Sequence, residues 1–350
     1  MNKEEPVRKK TAVIILNWNG KALMEKFLPS VIAHTPRESA DIVVADNGSD
    51  DGSVEMLRAA FPSVRIVAFS RNCGFAEGYN RAIAEVEAEY VVLLNSDVEV
   101  TPGWLDEPVA MLDEDAGVAG VQPRIRDYKD RRRFEYAGAA GGWIDCCGYP
   151  FCRGRVLHAV EEDSGQYDAP ADIFWASGAC AVMRRSAYIG AGGLDAEFFA
   201  HQEEIDLCWR LRARGYRFRY APGSVVYHVG GATLRMESPH KTFLNFRNNL
   251  LMIYKNMPDR ELAGVMRRRF WLDNLAMFRF LITGRFACAK AIFRARREYA
   301  KKKVAYRAVR RENLALTVVD PIPEVLRKSV LVSFYLKGKN TFTKLISMTS

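Results

Sequence analysis

Acidic and amide residues follow directly on short apolar runs in the first half of this 350-residue chain. The run "YVVLL" is followed by Asn95, Ser96 and Asp97, and the run "DIVVA" by Asp46 and Asn47. Carboxylate and amide oxygens accept hydrogen bonds, and Mg²⁺ and Mn²⁺ prefer oxygen ligands, with water and phosphate completing the shell. One or two carboxylates of this kind are enough to hold a cation against a phosphate group.

Further polar residues stand at the ends of other apolar runs and at the start of a helix-like segment. Among them are Asn17, Asn19, Arg71, Asn72, Gly74 and Asn80. Glu203 and Glu204 open the segment "EEIDLCWRLRARG", and His228 ends the run "SVVYH". A positioned carboxylate can remove a proton from a hydroxyl group, as general-base catalysis requires.

The elements that would position these residues alternate between strand and helix. The strand-like runs "TAVIILN", "DIVVAD", "VRIVAFS" and "YVVLLN" are separated by helix-like segments at residues 21–33, 52–60 and 75–86. The runs lack period-2 alternation, as expected for parallel strands that helices cover on both faces. The sequence therefore predicts an α/β fold with a Rossmann-like, doubly wound and mostly parallel sheet. In such sheets ligands bind beyond the carboxyl ends of the strands.

In order and spacing, seven segments of the chain resemble the family 2 glycosyltransferases of GT-A fold, closest to their rhamnosyltransferase-like branch. These segments are "ILNWN", "DNGSDDGS", "RNCGFAEGYN", "LLNSDVEV", "SGACAVMRR", "EEIDLCWRLRARGYR" and "VVYHVGG". The resemblance covers about residues 10–235. It implies an enzyme that transfers a sugar from a nucleotide diphosphate, with Mg²⁺ or Mn²⁺ as cofactor.

The resemblance also implies roles for individual residues. Asp46 matches the acid that accepts a hydrogen bond from N3 of uracil or thymine, which implies a UDP- or dTDP-activated donor. Asp97 matches the last acid of the D-x-D metal motif, and His228 matches a histidine of the metal or diphosphate shell. The residues assigned to the nucleotide are Asn17, Asn19, Asp46, Asn47, Arg71, Asn72, Gly74, Asn80, Asn95 and Ser96.

Two positions depart from the family pattern. The first D-x-D acid is Asn95 here, which can bind a ribose hydroxyl but gives a cation no charge, so metal binding would depend mainly on Asp97 and the diphosphate. The catalytic Glu-Asp pair is Glu203-Glu204 here, so the base would be Glu204, with Glu203 as the alternative. A base at this position implies inversion at the anomeric carbon through an oxocarbenium-like transition state.

Several of these residues also have a structural interpretation. The segment "DNGSDDGS" is typical of a turn with a helix N-cap, Asp97 of a helix cap near Trp104, and His228 of a buried, hydrogen-bonded histidine. Asp206 and Arg210, four residues apart, favour an ion pair on the surface of the helix that Glu203 opens, although they could instead hold the base in place.

Four residues are expected near the sugar or the acceptor. They are Trp175, Ser177, Gly178 and His201. For Trp175 and His201, and for nearby Trp143, packing in the core is an equal alternative. Trp175 and the loop at residues 128–149 lie where sugar discrimination is expected, so the transferred sugar, rhamnose or another hexose, stays open.

The positive charge of the chain is concentrated near its C-terminus. The net charge is +9, and from residue 237 onward there are about 24 Lys and Arg but only about 8 Asp and Glu. Apolar residues recur there at three- and four-residue spacing, with basic residues between them. We expect a disordered N-terminus (1–10), a catalytic domain (11–236) and a basic amphipathic helical region (237–350) that binds an anionic membrane surface.

This charge distribution predicts where the enzyme works. No signal peptide or spanning segment is evident, so we expect a cytoplasmic protein, peripheral on the inner face of the cytoplasmic membrane. A glycan acceptor, in particular a lipid-linked one, would explain the basic helices and points to cell-surface polysaccharide biosynthesis.

Other functions are compatible with single features of the sequence. The basic helices alone would suit a nucleic-acid- or membrane-binding protein, with the α/β domain as a nucleotide-binding module. Because the body with the strand-end motifs is mildly acidic, we expect no nucleic acid there. A processive synthase would need spanning helices, and a nucleotidyltransferase a Gly-rich loop after the first strand. The spacing of Cys146, Cys147 and Cys152 favours core or loop thiols over a zinc site.

Overall fold

The computed structural model describes residues 9–230 and 238–347, and its strands form two β-sheets. The strands are β1 (Thr11–Asn17), β2 (Ala40–Asp46), β3 (Arg65–Ala68), β4 (Tyr90–Asn95), β5 (Val98–Val100), β6 (Val118–Asp127), β7 (Gly142–Asp145), β8 (Pro150–Cys152), β9 (Arg155–Val156), β10 (Ala159–Val160), β11 (Ala171–Ile173), β12 (Cys180–Arg184), β13 (Arg217–His228) and β14 (Val325–Leu326). The helices are α1 (Lys21–His34), α2 (Ser53–Ala60), α3 (Phe75–Ala84), α4 (Asp106–Glu114), α5 (Arg185–Gly190), α6 (Glu203–Ala213), α7 (Pro239–Asn256), α8 (Asp259–Ile282), α9 (Phe286–Lys302), α10 (Arg307–Ala315), α11 (Val330–Lys337) and α12 (Phe342–Ile346).

The larger sheet has the strand order β11-β13-β6-β12-β4-β1-β2-β3, and β5 pairs with β13. β1 is parallel to β2 and β4, β2 is parallel to β3, and β6 is parallel to β13. Because β12 is antiparallel to both β4 and β6, β6 and β13 point the same way as the first four strands. The predicted α/β fold with a mostly parallel sheet is confirmed. The carboxyl ends of β1, β2, β4 and β13 therefore lie at one edge.

Each central strand contributes to two hydrophobic cores, one on either face of the sheet. In β1, Ala12 and Ile14 pack into the core on the side of α3, and Val13 and Ile15 pack into the core on the side of α1. Burial on both faces explains why the strand-like runs are continuously apolar. It also fixes the strand ends, since a slip of one residue would turn every side chain to the opposite face.

The segment between β6 and β11 contributes four strands to a second sheet. Its order is β10-β9-β8-β7-β14, and β14 pairs in parallel with β7 although it comes from the C-terminal region. Cys146 and Cys147 lie in the turn between β7 and β8, and Cys152 ends β8; all three are free thiols. The sequence gives no local sign of this sheet because its last strand is distant in the chain.

The helices after residue 238 pack on the preceding part of the chain. α7 contacts α6, α9 and α10, and its second half is buried, including polar residues. This differs from the predicted surface helix, because polar side chains of α7 bind residues 195–206. Exposed aromatic and aliphatic side chains are found instead on α8 and α9.

The predicted domain boundaries fall near residues outside the described ranges. Residues 1–8 are not described, whereas Lys9 and Lys10, predicted as part of a disordered N-terminus, form ion pairs with Asp41 (3.1 Å) and Asp113 (2.6 Å). The predicted boundary between residues 236 and 237 lies outside the described residues. Within residues 9–230 and 238–347, no helix has both the length and the apolar character needed to cross a bilayer.

Candidate active site

The turn after β2 joins the ends of β1 and β2. The register of the two strands places Asn17 opposite Asp46, and Asn17 Nδ2 donates to Asp46 Oδ2 at 3.0 Å. Ser49 donates to the same carboxylate from its backbone N–H (2.9 Å) and from its hydroxyl (2.7 Å). Asp46 is 1% exposed, so in the free protein its carboxylate holds the turn. The Oδ1 atom of Asn17 is buried without a hydrogen-bond partner.

The same turn lies directly against the segment that follows β3. Gly48 has a φ of 77°, and a Cβ at this position would lie 2.5 Å from backbone atoms of Arg71, so only glycine fits without strain. Asn47 Nδ2 donates to Asn72 Oδ1 (3.1 Å) and to the carbonyl of Gly74 (3.0 Å). The predicted nucleotide residues of the second and third strand ends therefore lie side by side.

Other residues of "DNGSDDGS" stabilise helix starts. Asn19 and Asp50 exchange two hydrogen bonds, from Asn19 Nδ2 (2.8 Å) and from the Asp50 backbone N–H (2.9 Å). Asp51 accepts from the backbone N–H groups of Lys21 (2.9 Å) and Ser53 (3.0 Å), the first residues of α1 and α2. The capping interpretation is confirmed for Asp51, since it satisfies free N–H groups at two helix starts.

Asn80 is bound at both ends of its side-chain amide. Its Nδ2 donates to the carbonyl of Leu194 (2.8 Å), and its Oδ1 accepts from the Leu194 N–H (2.9 Å) and the Tyr188 hydroxyl (2.7 Å). These contacts tie α3 to the segment after α5. In the free protein Asn80 stabilises the packing of α3, which follows the predicted nucleotide residues Arg71, Asn72 and Gly74.

The end of β13 brings together the residues predicted for the metal. β5 runs antiparallel to β13 with Val98 opposite His228, which places Asp97 Oδ1 3.1 Å from His228 Nε2. Asn95 Nδ2 lies 3.3 Å from the same ring nitrogen, and Ser96 occupies the turn between β4 and β5 with partial exposure. Residues far apart in the sequence thus meet because two strands pair.

A residue that the sequence did not single out completes this cluster. Glu135 Oε2 lies 3.3 Å from His228 Nδ1, on the other side of the ring from Asp97. Carboxylates in this position orient metal-binding histidines and leave the second ring nitrogen for the ligand. Burial lowers the pKa of His228, but Glu135 and Asp97 outweigh it and raise the pKa to about 10. Glu135 lies in the connection after β6, where no periodicity or motif marks it.

These side chains suit a cation that shares its shell with a phosphate. Asp97 offers one carboxylate and Asn95 is neutral, while His228 can offer a ring nitrogen only when a cation displaces the proton that its raised pKa favours. In the part of the chain that the structure describes, no three His, Cys, Asp or Glu side chains are placed to enclose an ion by themselves. Mg²⁺ and Mn²⁺ at nucleotide sites take few protein ligands and complete their shell with water and phosphate oxygens.

α6 begins with the two carboxylates predicted to be catalytic. One carboxylate oxygen of Glu203 and one of Glu204 are buried without a hydrogen-bond partner. Burial raises the pKa of Glu204 to about 7, and burial together with Glu204 raises the pKa of Glu203 well above its usual range. Glu203 is 3% exposed, whereas Glu204 is partly exposed. Glu204, partly exposed and with a pKa of about 7, therefore suits a base near neutral pH better than the buried Glu203.

The rest of α6 is buried on all sides, whereas the sequence suggested one apolar face. Asp206 Oδ2 accepts from Arg210 Nε (3.0 Å) and Lys255 Nζ (2.8 Å), and Asp206 Oδ1 accepts from Asn256 Nδ2 (2.8 Å). Burial raises the pKa of Asp206, but Lys255 and Arg210 outweigh it and lower the pKa. The predicted ion pair between Asp206 and Arg210 forms, but it is buried and not on the helix surface, and α7 supplies two further partners.

Trp175 and Ser177, two of the residues predicted near the sugar or the acceptor, lie in the core. Each is 2% exposed. Trp175 Nε1 donates to the carbonyl of Trp143 (3.0 Å), and the Ser177 N–H donates to Gln122 Oε1 (2.8 Å). In the free protein both residues support the wall behind the site.

Gly178 and His201, the other two, lie at the carboxyl edge of the sheet. A Cβ on Gly178 would lie 2.9 Å from the ring of Phe75, in the first turn of α3. His201 lies two residues before Glu203, and its buried Nε2 has no hydrogen-bond partner. Burial, followed by Lys241 and His240, lowers the pKa of His201 to about 4, so the ring is neutral near pH 7.

The mostly parallel sheet brings the predicted nucleotide residues and the Asp97-His228 pair to one edge, the arrangement expected of a transferase of GT-A fold. The model of the glycosyl transferase family 2 matches residues 12–190, more than half of the chain. The chain belongs to the family 2 glycosyltransferases, which confirms the predicted family and its enzymatic class.

Individual relatives agree with this assignment. The chain is 29% identical over 245 residues to the N-acetylglucosaminyl-diphospho-decaprenol L-rhamnosyltransferase of Mycobacterium tuberculosis. The matched region covers 65% of this chain and 79% of that protein. This similarity agrees with the predicted rhamnosyltransferase-like branch.

Two solved structures have a similar fold. TarS 1-349 from S. aureus, in complex with UDP-GlcNAc, has a TM-score of 0.54 and 13% identity, over 88% of this chain and 89% of that chain. The mannosyltransferase PcManGT from Pyrobaculum calidifontis, in complex with GDP-Man and Mn²⁺, has a TM-score of 0.51 and 16% identity, over 89% and 86%. The GT-A fold is thereby confirmed.

Proposed function

We propose that this glycosyltransferase moves a sugar, rhamnose or another hexose, from a dTDP- or UDP-activated donor to a hydroxyl of a glycan acceptor, with inversion. The observation that carries the proposal is the position of the Glu203-Glu204 pair. The carbonyl of Phe199, four residues before Glu203, accepts from the Phe75 N–H at 2.6 Å, in the first turn of α3. This contact sets the start of α6 at the same sheet edge as the polar strand ends.

The donor would lie across the ends of β1, β2, β4 and β13. N3–H of uracil or thymine would donate to Asp46 in place of one hydrogen bond from Ser49, and Asn95 would bind the ribose. Asp97 and His228 would hold Mg²⁺ or Mn²⁺, whose charge offsets that of the leaving diphosphate when it is bound. The other nucleotide contacts would come from Asn17, Asn19, Asn47, Arg71, Asn72, Gly74, Asn80 and Ser96.

Glu204 would remove the proton from the acceptor hydroxyl. Its unpartnered oxygen is free to accept that hydrogen bond, and a pKa of about 7 lets it bind the proton and release it again near neutral pH. Attack from the face opposite the diphosphate gives inversion. Gly178 and His201 would line the sugar and acceptor, and Trp175 and Ser177 would support them from behind.

Binding of the donor can be tested without knowing the sugar. We expect UDP or dTDP to raise the melting temperature of the protein in the presence of Mn²⁺, because a ligand stabilises the state that binds it. The Asp97→Ala variant should lose this shift. Glu38→Ala is the control, since it removes an exposed carboxylate that lies before β2, away from the carboxyl edge of the sheet. A full shift in Asp97→Ala would contradict the proposal.

A lipid-linked acceptor in polysaccharide biosynthesis is supported by the M. tuberculosis relative, whose name specifies a diphospho-decaprenol acceptor, and by the surface of α8 and α9. On α8, Trp271, Leu275, Phe278 and Ile282 are 58–69% exposed, at spacings of three and four residues that define one face. Arg267, Arg268 and Arg279 lie on the same helix. We propose that this face, the apolar stripe, docks the cytoplasmic enzyme on the anionic inner face of the cytoplasmic membrane.

Vesicle flotation tests the apolar stripe separately from catalysis. The full chain should float with vesicles that contain anionic lipid and less so at high salt, because lipid attraction is screened. Changing Trp271, Phe278 and Ile282 to Ser should abolish flotation. The same change at Val318, Val332 and Leu336, which are exposed outside α8, is the control. Flotation that persists in the stripe variant, or is absent in the wild type at low salt, would refute membrane docking.

A further inference from the structure

The loop at residues 197–202, which precedes the Glu203-Glu204 pair, is held by hydrogen bonds from α7. Asn248 Nδ2 lies within hydrogen-bond distance of three backbone carbonyls in that loop, those of Phe198 (2.9 Å), Ala200 (2.9 Å) and His201 (2.8 Å). An amide has two N–H groups, so the three carbonyls share them. Asn248 is fully buried, and the N–H groups of its side chain are taken up by the loop carbonyls.

The neighbours of Asn248 on α7 make further hydrogen bonds to the same loop. Arg247 Nη2 donates to the carbonyls of Glu197 (2.9 Å) and Phe198 (3.1 Å), and its Nε donates to Asn248 Oδ1 (2.8 Å). Asn249 Nδ2 donates to Gln202 Oε1 (3.1 Å), at the residue directly before α6. Three consecutive residues of one helix thus bind successive parts of the loop from residue 197 to residue 202.

The loop needs such support because its backbone is strained. Phe199, His201 and Gln202 have φ values of 65°, 71° and 74°, in the left-handed region that side chains other than glycine rarely adopt. Residues in such conformations persist only where the surroundings determine them, and they cluster at functional sites. A loop without the Asn248 contacts would relax toward ordinary φ values and turn the start of α6.

The loop also connects the two halves of the site. The Phe199 carbonyl accepts from the N–H groups of Phe75 (2.6 Å) and Ala76 (3.3 Å) at the start of α3, and a Cβ on Gly74 would lie 2.6 Å from the Phe199 ring. The segment that carries the nucleotide residues and the helix that carries the base therefore meet at this loop, which α7 holds in place.

We infer that Asn248, with Arg247, is a positioning residue that sets the orientation of Glu204 toward the acceptor by holding the strained loop. The inference rests on the proposed role of Glu204 as the base. It implies that the C-terminal region is part of the catalytic machinery. Displacement of a reacting group by about 1 Å costs about 10²-fold in rate, and this loss should fall on the chemical step.

The test compares Asn248→Ala with Asn274→Ala. Asn274 is partly exposed on α8 and donates within its own helix, to the Phe270 carbonyl (2.8 Å), so it is a matched control. Release of nucleoside diphosphate from the dTDP- or UDP-sugar is measured with an N-acetylglucosaminyl-diphospho-lipid as acceptor or, without transfer, with water. Donor affinity is measured by calorimetry with UDP or dTDP and Mn²⁺, and folding by thermal unfolding.

We expect kcat of Asn248→Ala to fall about 10²-fold, while the nucleotide Kd stays within about threefold of the wild type. Arg247→Lys is a milder change, since Lys cannot replace the hydrogen bonds from both Nε and Nη2. Its kcat should fall about tenfold, and this variant replaces Asn248→Ala in the test if Asn248→Ala does not fold. A kcat within threefold of the control, or a nucleotide Kd that weakens as much as kcat falls, would overturn the inference. If Glu204→Gln is fully active, the proposed base is wrong; if it is inactive while Asn248→Ala is active, only the positioning role fails.

Discussion

Replacing Glu204 with Gln is the most informative single change, because it keeps the shape of the side chain and removes its basicity. The wild-type carboxylate has a pKa of about 7, raised by burial, and one oxygen without a hydrogen-bond partner. Gln offers an amide that cannot take a proton from the acceptor. The variant should bind the donor normally and fail at proton removal.

The size of the effect follows from the pKa. With a pKa of about 7, about a tenth of the base is ionised at pH 6 and about nine tenths at pH 8, so wild-type kcat/KM should rise about tenfold over that range. Loss of a general base costs about 10²- to 10⁴-fold, and the activity left in Glu204→Gln should no longer rise with pH through the base.

The same change should stabilise the fold at alkaline pH. The folded-state pKa of about 7 lies above the ordinary value of 4.5, so the fold favours the protonated carboxyl and loses stability as the pH rises from 4.5 through 7. Raising a pKa from 4.5 to about 7 corresponds to at most about 3 kcal/mol. Glu204→Gln should therefore match the wild type near pH 4 and exceed it by up to about 3 kcal/mol at pH 8.

Nucleoside diphosphate release over pH 5.5–9 and urea unfolding at two pH values measure both effects. Glu203→Gln is the matched comparison: burial and the neighbouring Glu204 raise the pKa of Glu203 well above its usual range and so favour its neutral form, and a neutral amide should therefore keep kcat within about tenfold of the wild type. A Glu204→Gln protein with full activity would refute the assignment. A larger loss in Glu203→Gln than in Glu204→Gln would move the base to Glu203.

Other changes test the remaining parts of the site. Lys255→Met should lower the free energy of unfolding by about 3–5 kcal/mol in urea, because the Lys255 side chain is 2% exposed and its loss removes a buried partner of Asp206; exposed Lys301→Met should have no such effect. Gly48→Ala should weaken UDP or dTDP binding at least tenfold in calorimetry, since its Cβ would lie 2.5 Å from the Arg71 backbone. Gly192→Ala is the control for backbone strain, because Gly192 also has a positive φ (83°) but open space around it. An equal loss of nucleotide affinity in Gly48→Ala and Gly192→Ala would show that contact with Arg71 is irrelevant. EDTA should abolish sugar transfer and Mn²⁺ should restore it, and transfer that survives EDTA would argue against a divalent ion.

The first half of the fold is predictable because its information is local. Short apolar runs that end in polar residues identify β1, β2 and β4, and the parallel sheet brings Asn17, Asp46 and Asn95 to one edge. The start of α6 at Glu203 is visible in the same way, from a polar pair that precedes an apolar helix pattern. For these elements strand propensity, helix spacing and topology rules agree.

Long-range pairing explains what the sequence did not reveal. Glu135 has no motif, and it matters only because β6 and β13 pair and bring it to His228. The second sheet depends on β14, which lies far along the chain from β7. The basic, apolar pattern of α7 suggested a surface helix, yet Arg247 and Asn248 are buried against carbonyls. Periodicity reports which faces are apolar, and it cannot report which polar atoms another segment will satisfy.

We propose that Asp97 and His228 hold a divalent ion against the donor diphosphate, at the sheet edge where Glu204 would meet the acceptor. A crystal of the full chain soaked with Mn²⁺ and UDP or dTDP tests it most directly. We expect anomalous manganese density within about 2.2 Å of an Asp97 carboxylate oxygen, with the diphosphate on the same ion. Manganese and nucleotide bound together elsewhere on the chain would contradict the account.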